Sequence, residues 1–254
     1  MKTRIPALIA GLALGGSMLL ATAGVATAAQ PTNAGPAGKG VCATEAAAVK
    51  AAPISVDGLR AFGDCEINRR LTDLGSLASA ISGSKVLTSS DAAGLSAIVS
   101  QAQSGLAALK TTIDSETDAK ALKADIVKVA ADYRVYLLVV PQVHLVGAAD
   151  AVRASQAKFS QISTTLQNRI NTAKAAGKDV TAAQADLNAM NASVTAAVNL
   201  AAPLPAQLLA LTPAQYNAGT AGPILASART AAGQARDDIK SAVASAKAAR
   251  DALK

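Results

Sequence analysis

The chain has 254 residues, is 51% hydrophobic but only 2% aromatic with no Trp, and carries 24 Lys and Arg against 17 Asp and Glu. Its net charge of +7 is mild, and bears on solubility and attraction to anionic partners rather than on fold. Ala supplies much of the apolar fraction, so each side chain buries little area at ~25 cal/mol per Å²; this excludes a deep aromatic core and favours long helices laid side by side, for which Ala has the best propensity.

The first residues read as a secretory signal peptide, 1–28. Lys2 and Arg4 give a positive start, Ile5 to Leu20 is apolar, and Ala26-Thr27-Ala28 is a small-x-small cleavage signal, the three parts such a leader needs. The expected cut follows Ala28, with Ala29 the alternative, so the protein is expected to be secreted, extracellular or wall-associated. Without the two basic residues of the leader the balance is 22 to 17, or +5. No Cys lies near the cut to take a lipid, and the charged ending "RDALK" is no membrane anchor. Residues 29–40, rich in Pro and Gly, form a flexible tether with nothing to bury. In an exported chain the two Cys, Cys42 and Cys65, read as one disulfide.

From Val41 onward a single domain, 41–254, is expected. "CATEAAAVKAA" is a short helix ending before Pro53, and "ISVDGLRAFGD" a turn-rich loop docked by Leu59 and Phe62. The regular pattern then begins. Ile67, Leu71, Leu74, Leu77 and Ile81 line one face of a helix that "SGS" (82–84) stops. Thr88 opens a capping box for a second helix carrying Leu95, Ile98, Ala102, Leu106, Leu109 and Ile113. "DSETD" (114–118) turns the chain and puts acids at the start of the next helix, where the dipole favours them.

That third helix runs Leu122, Ile126, Val129, Tyr133, Tyr136 and Val140 into Pro141. A kinked continuous helix is expected there, with a sharper break the alternative, and the bulky residues around the bend should be core. Beyond it Leu145, Ala149, Val152, Phe159, Ile162, Leu166 and Ile170 keep phase to "AAGKD" (175–179), where Gly177 suits a left-handed cap. A fourth helix holds Val180, Leu187, Met190, Val194 and Val198. A loose connector with short turns leads from Pro203 to the last helix, Ile224 to about Leu253, whose apolar face is read as Ile224, Ala228, Ala235, Ile239, Ala242, Ala246 and Leu253. The fold class is therefore all-α: an elongated antiparallel bundle of four to five long helices, one kinked at Pro141, with an N-terminal segment tied on by a disulfide. Steps near the heptad period predict coiled-coil packing.

The segments "RRLTDLGSLASAI", "LTSSDAAGLSAIVSQAQSGLAALKTTID", "DYRVYLLVVPQ" and "GAADAV" resemble a group of secreted, Ala-rich helical-bundle proteins of high-GC Gram-positive bacteria. The resemblance covers most of residues 65–200. It implies export and an all-α fold; the group has no activity or site residues to transfer.

Motifs for chemistry are thin. Between Arg134 and Asp150 there are 15 uncharged residues including Pro, Gln and His, short of the ~20 that a spanning helix needs; no transmembrane segment is expected in the mature chain. His144 shares a face with Val140 and Leu137 and has no acid three or four positions away, so it reads as structural and not as a general base. The acids at 114, 116, 118 and 125 depart from a calcium loop, with Ala119 at its Gly position and Lys120 next. Ser82/Lys85 and Ser155/Lys158 match Ser-x-x-Lys, but no Lys-Thr-Gly strand accompanies them; a Ser/Lys hydrolase is the weak alternative. Asn191 to Ser193 is a glycosylation sequon inside a helix. No Cys/His metal set or phosphate loop is present, so no enzyme activity, metal or cofactor is expected.

One constellation is ordered. Arg229, Arg236, Lys240, Lys247, Arg250 and Lys254 fall within about an 80° stripe at ~100° per residue. The plain alternative is a solvated face paired with acids such as Asp237 and Asp251. The functional reading is a basic rail for an anionic cell-wall polymer or membrane surface. Without interleaved aromatics no specific nucleic-acid binding is expected. The sequence therefore predicts a binding or structural module at the envelope or in the medium; it identifies no partner, an anionic cell-wall polymer or an envelope protein being the candidates.

Overall fold

The computed structural model describes residues 41–50 and 55–254; the expected leader, its cut, the tether and Pro53 lie outside the described residues. The described chain is helical and, among the described residues, has no strand. Helix α1 is Ala43–Lys50, α2 Val56–Gly83, α3 Ser89–Ser115, α4 Ala119–Ala131, α5 Val140–Ala175, α6 Thr181–Ala201, α7 Leu204–Leu209, α8 Pro213–Asn217 and α9 Ala221–Asp251, with a π-helical turn at Val135–Val139. Cys42 and Cys65 form the expected disulfide, which ties α1 to α2.

Two cores are built on one frame. The proximal core gathers α2, α3, α4 and α7 with the first turns of α5 and α9, around Leu59, Ile67, Leu106, Leu122, Leu138 and Leu225. The distal core holds only α6 and the later halves of α5 and α9, around Phe159, Leu166, Leu187, Met190 and Val194. Helices α5 and α9, 36 and 31 residues long, or roughly 54 and 46 Å at 1.5 Å per residue, pass through both cores and make one elongated body. Helix α6 runs from the distal to the proximal core, from Ala183 to Ala201. Both α5 and α9 run from the proximal to the distal core, so this pair is parallel and α6 is antiparallel to both.

The distal core is narrow because its seam is Ala. On α9, Ala221, Ala228, Ala235, Ala242 and Ala249 recur every seven residues and are at most 1% exposed. On α6, Ala183, Leu187, Met190, Val194, Ala197 and Ala201 step 4, 3, 4, 3 and 4 and are all buried. Seams of buried Ala at this spacing let the backbones of α6 and α9 approach closely, with Ala242 and Ala249 in one cluster with Leu187, Met190 and Val194. Leu225, 1% exposed, anchors the start of α9, whereas Ile224 is 37% exposed. The expectation that Ile224 belonged to the core is corrected: it lies one position off the heptad.

Local signals explain most boundaries. Thr88 accepts from the Asp91 N–H at 3.1 Å and Asp118 from the Lys120 and Ala121 N–H groups, which satisfies N-terminal donors. Gly177 has φ +76°, and Lys178 N donates to the Ala173 carbonyl at 3.0 Å, the glycine-terminated helix end that was expected. Of the loop expected over residues 54–64, the described part, 55–64, is instead the cap and first turns of α2, where the Ser55 Oγ accepts from the Gly58 N–H at 3.0 Å. Gly63 is buried there because a Cβ would come within 3.2 Å of Ile113 and Ile126.

The interruption in the third long helix lies upstream of Pro141. Helix α4 ends at Ala131, and Arg134 adopts φ 44°, ψ 37°, a left-handed conformation that costs a non-Gly residue about 1–2 kcal/mol. It is held there by α8. The Arg134 Nε donates to Asn217 Oδ1 at 2.6 Å, Asn217 Nδ2 donates to the Ala131 carbonyl at 2.9 Å, and the guanidinium lies 5.4 Å over the Tyr216 ring. The π turn follows, with the Val140 N–H bonded to the Val135 carbonyl, and Pro141 falls in the first turn of α5, where its missing donor costs least. Gln142 is fully buried behind it and donates to the Leu208 and Leu211 carbonyls at 2.7 and 3.0 Å, which satisfies the end of α7.

Two stretches, Ala119–Ala175 and Thr181–Leu209, are long and apolar enough to cross a membrane by length and composition. Their most apolar windows are 50% and 33% buried, and both stretches contribute large residues to the two cores.

Candidate anionic-partner surface

The residues with possible chemistry are engaged in holding the bundle. Ser82 and Ser155 donate their hydroxyls to the carbonyls of Ser79 and Val152 at 3.1 and 2.7 Å, back-bonds within their own helices, while Lys85 and Lys158 are exposed. The acids of the calcium-like stretch disperse: Asp114 pairs with Lys110, Glu116 accepts from the Thr117 and Asp118 N–H groups, Asp118 caps α4, and Asp125 pairs with Lys128. Asn191 is exposed in mid-helix, its carbonyl bonded by Thr195. His144 is half-buried, and burial holds its imidazole pKa below the ordinary value.

Two clusters escaped sequence reasoning. Asp91 and Asp150, both buried, share Arg153, and Asp150 also accepts from the Thr88 N–H at 2.9 Å. Burial raises the Asp150 carboxyl pKa, an effect offset by the Thr88 N–H and reinforced by Asp91. This clasp fixes the N-terminus of α3 to α5. Tyr136 donates its hydroxyl to Asp73 at 2.6 Å, and the Arg69 and Arg70 guanidiniums lie 5.0 and 5.3 Å over its ring; burial first, then the Asp73 hydrogen bond, pushes the phenol pKa up.

The basic rail is on the surface. Arg229, Arg236, Lys240, Lys247 and Lys254 are exposed and Arg250 is half-buried. The stripe lies roughly a third of a turn from the buried Ala row at 100° per residue, and its last cations, Arg250 and Lys254, border a groove against α5. Acids neutralise part of it: Asp237 pairs with Lys240 at 2.8 Å, and Asp251 pairs with Arg250 and Lys254 at 3.0 and 2.8 Å. Those cations hold both carboxyls below their usual range. The pairs are exposed and screened, so they contribute little to stability and can open to another anion.

Charge is distributed unevenly between the cores. Residues 29–153 hold twelve basic and twelve acidic side chains, whereas residues 154–254 hold ten basic and five acidic ones. Of the net charge of +7, residues 154–254 carry +5 and residues 1–28 the other +2. At its tip the rail meets α5: Arg250 and Lys254 share a groove with Arg169 and Lys178. A second groove, between α5 and α6, also includes Lys178 and is lined by Gln167, Asn171, Gln184 and Asn188. These amides form a ladder in which Gln167 and Gln184 bond each other at 3.1 and 3.3 Å and donate to Asn171 and Asn188 at 3.2 and 3.1 Å. The sequence signal for it was an amide pair four residues apart on each of two facing helices.

Compared with known proteins, the chain matches no family model, no curated protein and no solved structure.

Proposed function

We propose that this is an exported, non-catalytic module that binds an anionic polymer at the cell envelope through the basic face of its distal arm. The observation that carries the reading is the separation of charge: a neutral proximal lobe, and an arm whose +5 excess includes a rail of roughly 37 Å along one helix. That length is several times the ~8 Å screening length at physiological salt, so an extended polyanion can meet the whole line of cations, where a small anion meets one or two. In the proximal lobe the buried carboxylates Asp91, Asp125 and Asp150 and the hydroxyls of Thr88, Ser82 and Tyr136 are committed to a cap, a back-bond, ion pairs and a hydrogen bond, which supports the reading. A paired Cys42 and Cys65 fits an oxidising compartment.

The test is retention of the mature chain on envelope and culture fractions at low and high salt. The reading requires co-purification with an anionic polymer at low salt and release at high salt. Retention that ignores salt, or that is confined to an uncharged component, refutes it.

A further inference from the structure

We infer that the tip of the distal arm recognises a hydroxylated polyanion, a linear polymer bearing phosphate or carboxylate groups on a polyol or sugar backbone; this rests on the proposed rail and names its partner's chemistry. The rail alone would accept any polyanion. What adds selectivity is the adjoining amide ladder. Gln167 and Gln184 use their hydrogen-bonding groups on each other, and Asn171 and Asn188 enter the ladder as acceptors through Oδ1. The NH₂ groups of these two exposed amides are left for a partner, and a primary amide offers both donor and acceptor to a hydroxyl.

The two kinds of group meet at one place. Lys178, on the turn between α5 and α6, lines both the amide groove and the groove holding Arg169, Arg250 and Lys254. A chain leaving the rail at Lys254 thus reaches cations first and amides next, so its anionic groups and its hydroxyls both find partners at the tip. Bases are disfavoured, because ring stacking supplies much of single-strand binding and the distal core has a single aromatic residue, Phe159, which is 7% exposed. A lipid bilayer is disfavoured because an interfacial helix buries a broad apolar face, and the apolar face of this arm is its closed Ala seam.

The experiment compares the full mature chain against poly(glycerol phosphate), a polyuronate, inorganic polyphosphate of matched charge, single-stranded DNA, and phosphatidylglycerol vesicles, by titration at fixed salt. Poly(glycerol phosphate), the polyuronate or both should bind more tightly than polyphosphate. The variant Asn171→Ala/Asn188→Ala should lose roughly tenfold on the hydroxylated polymers, the effect of about two neutral hydrogen bonds, and nothing on polyphosphate. The variant Arg169→Glu/Lys178→Glu should lose affinity for both. Circular dichroism of each variant checks the fold, and Asn171→Gln/Asn188→Gln, which keeps the amides, should retain part of the preference. Equal affinity for polyphosphate, or an unchanged amide double variant, overturns this inference and leaves the rail standing. Tightest binding to DNA or to vesicles also overturns it, and binding to none of the anionic probes overturns the rail as well.

Discussion

Replacing Ala242 probes the seam that holds the distal arm together. Ala242 is 0% exposed and belongs to the same cluster as Leu187, Met190 and Val194 of α6. Ala242→Gly removes one methyl, worth about 0.8 kcal/mol, and adds the ~1 kcal/mol helix penalty of Gly, so about 2 kcal/mol should be lost. Ala242→Leu adds three carbons to a closed hole and should cost about 1–3 kcal/mol by overpacking. Ala244, exposed on the same helix, is the control. There, Gly should cost only its ~1 kcal/mol propensity and Leu a few tenths. Urea unfolding followed by far-UV circular dichroism gives each value. If Ala242→Leu is as harmless as Ala244→Leu, α6 and α9 are not packed through an Ala seam and the account of the arm fails.

Gly105 and Gly75 should respond oppositely to Ala. A Cβ at Gly105 would lie 2.4 Å from Tyr133 Cε1, whereas nothing lies within 4 Å at Gly75; Gly105→Ala should destabilise by roughly 1 kcal/mol net, and Gly75→Ala should stabilise by about 0.5–1 kcal/mol. Thermal melts that move both variants in one direction contradict the contact. His144 titrates lower in the folded chain because burial disfavours its charged form, so its contribution is fully present above the unfolded pKa of ~6.5 and is lost as pH falls below that. His144→Leu should accordingly flatten the stability profile between neutral pH and pH ~5.5, and an unchanged slope rejects the assignment. The disulfide joins residues 23 apart, and opening it by Cys42→Ser/Cys65→Ser should cost about 3 kcal/mol in the chain-entropy model, read as a lower urea midpoint.

Periodicity made the long helices legible, because each buries one apolar stripe: Leu95, Ala102, Leu106, Leu109 and Ile113 of α3 are all buried. It failed where the packing surface is not apolar in the ordinary sense. Gly58 and Gly63 made the start of α2 look like a loop, yet Gly63 is the small residue that lets α2 approach Ile113 and Ile126. Gln142 lies in the core because it bonds two carbonyls more than 60 residues away, a requirement invisible along the chain. The break at Arg134 is likewise set by Asn217 and Tyr216, distant residues that hold a backbone conformation no local signal demands. For the site, the seven-residue spacing of cations was readable from Arg229 to Lys254, since a helix projects such positions together. The part supplied by α5 and α6 was not, because it depends on which helix faces lie side by side.

The central claim is that the exposed rail of α9 binds an extended polyanion, and the salt dependence of affinity tests it most directly. Titration of poly(glycerol phosphate) into the native chain and into Arg236→Glu/Lys240→Glu/Lys247→Glu, over a range of salt, gives log K against log salt for each. The account predicts a steep negative slope for the native chain and a slope smaller by about 2 for the variant, at roughly 0.7 per lost phosphate contact. Equal slopes and equal affinities would contradict it.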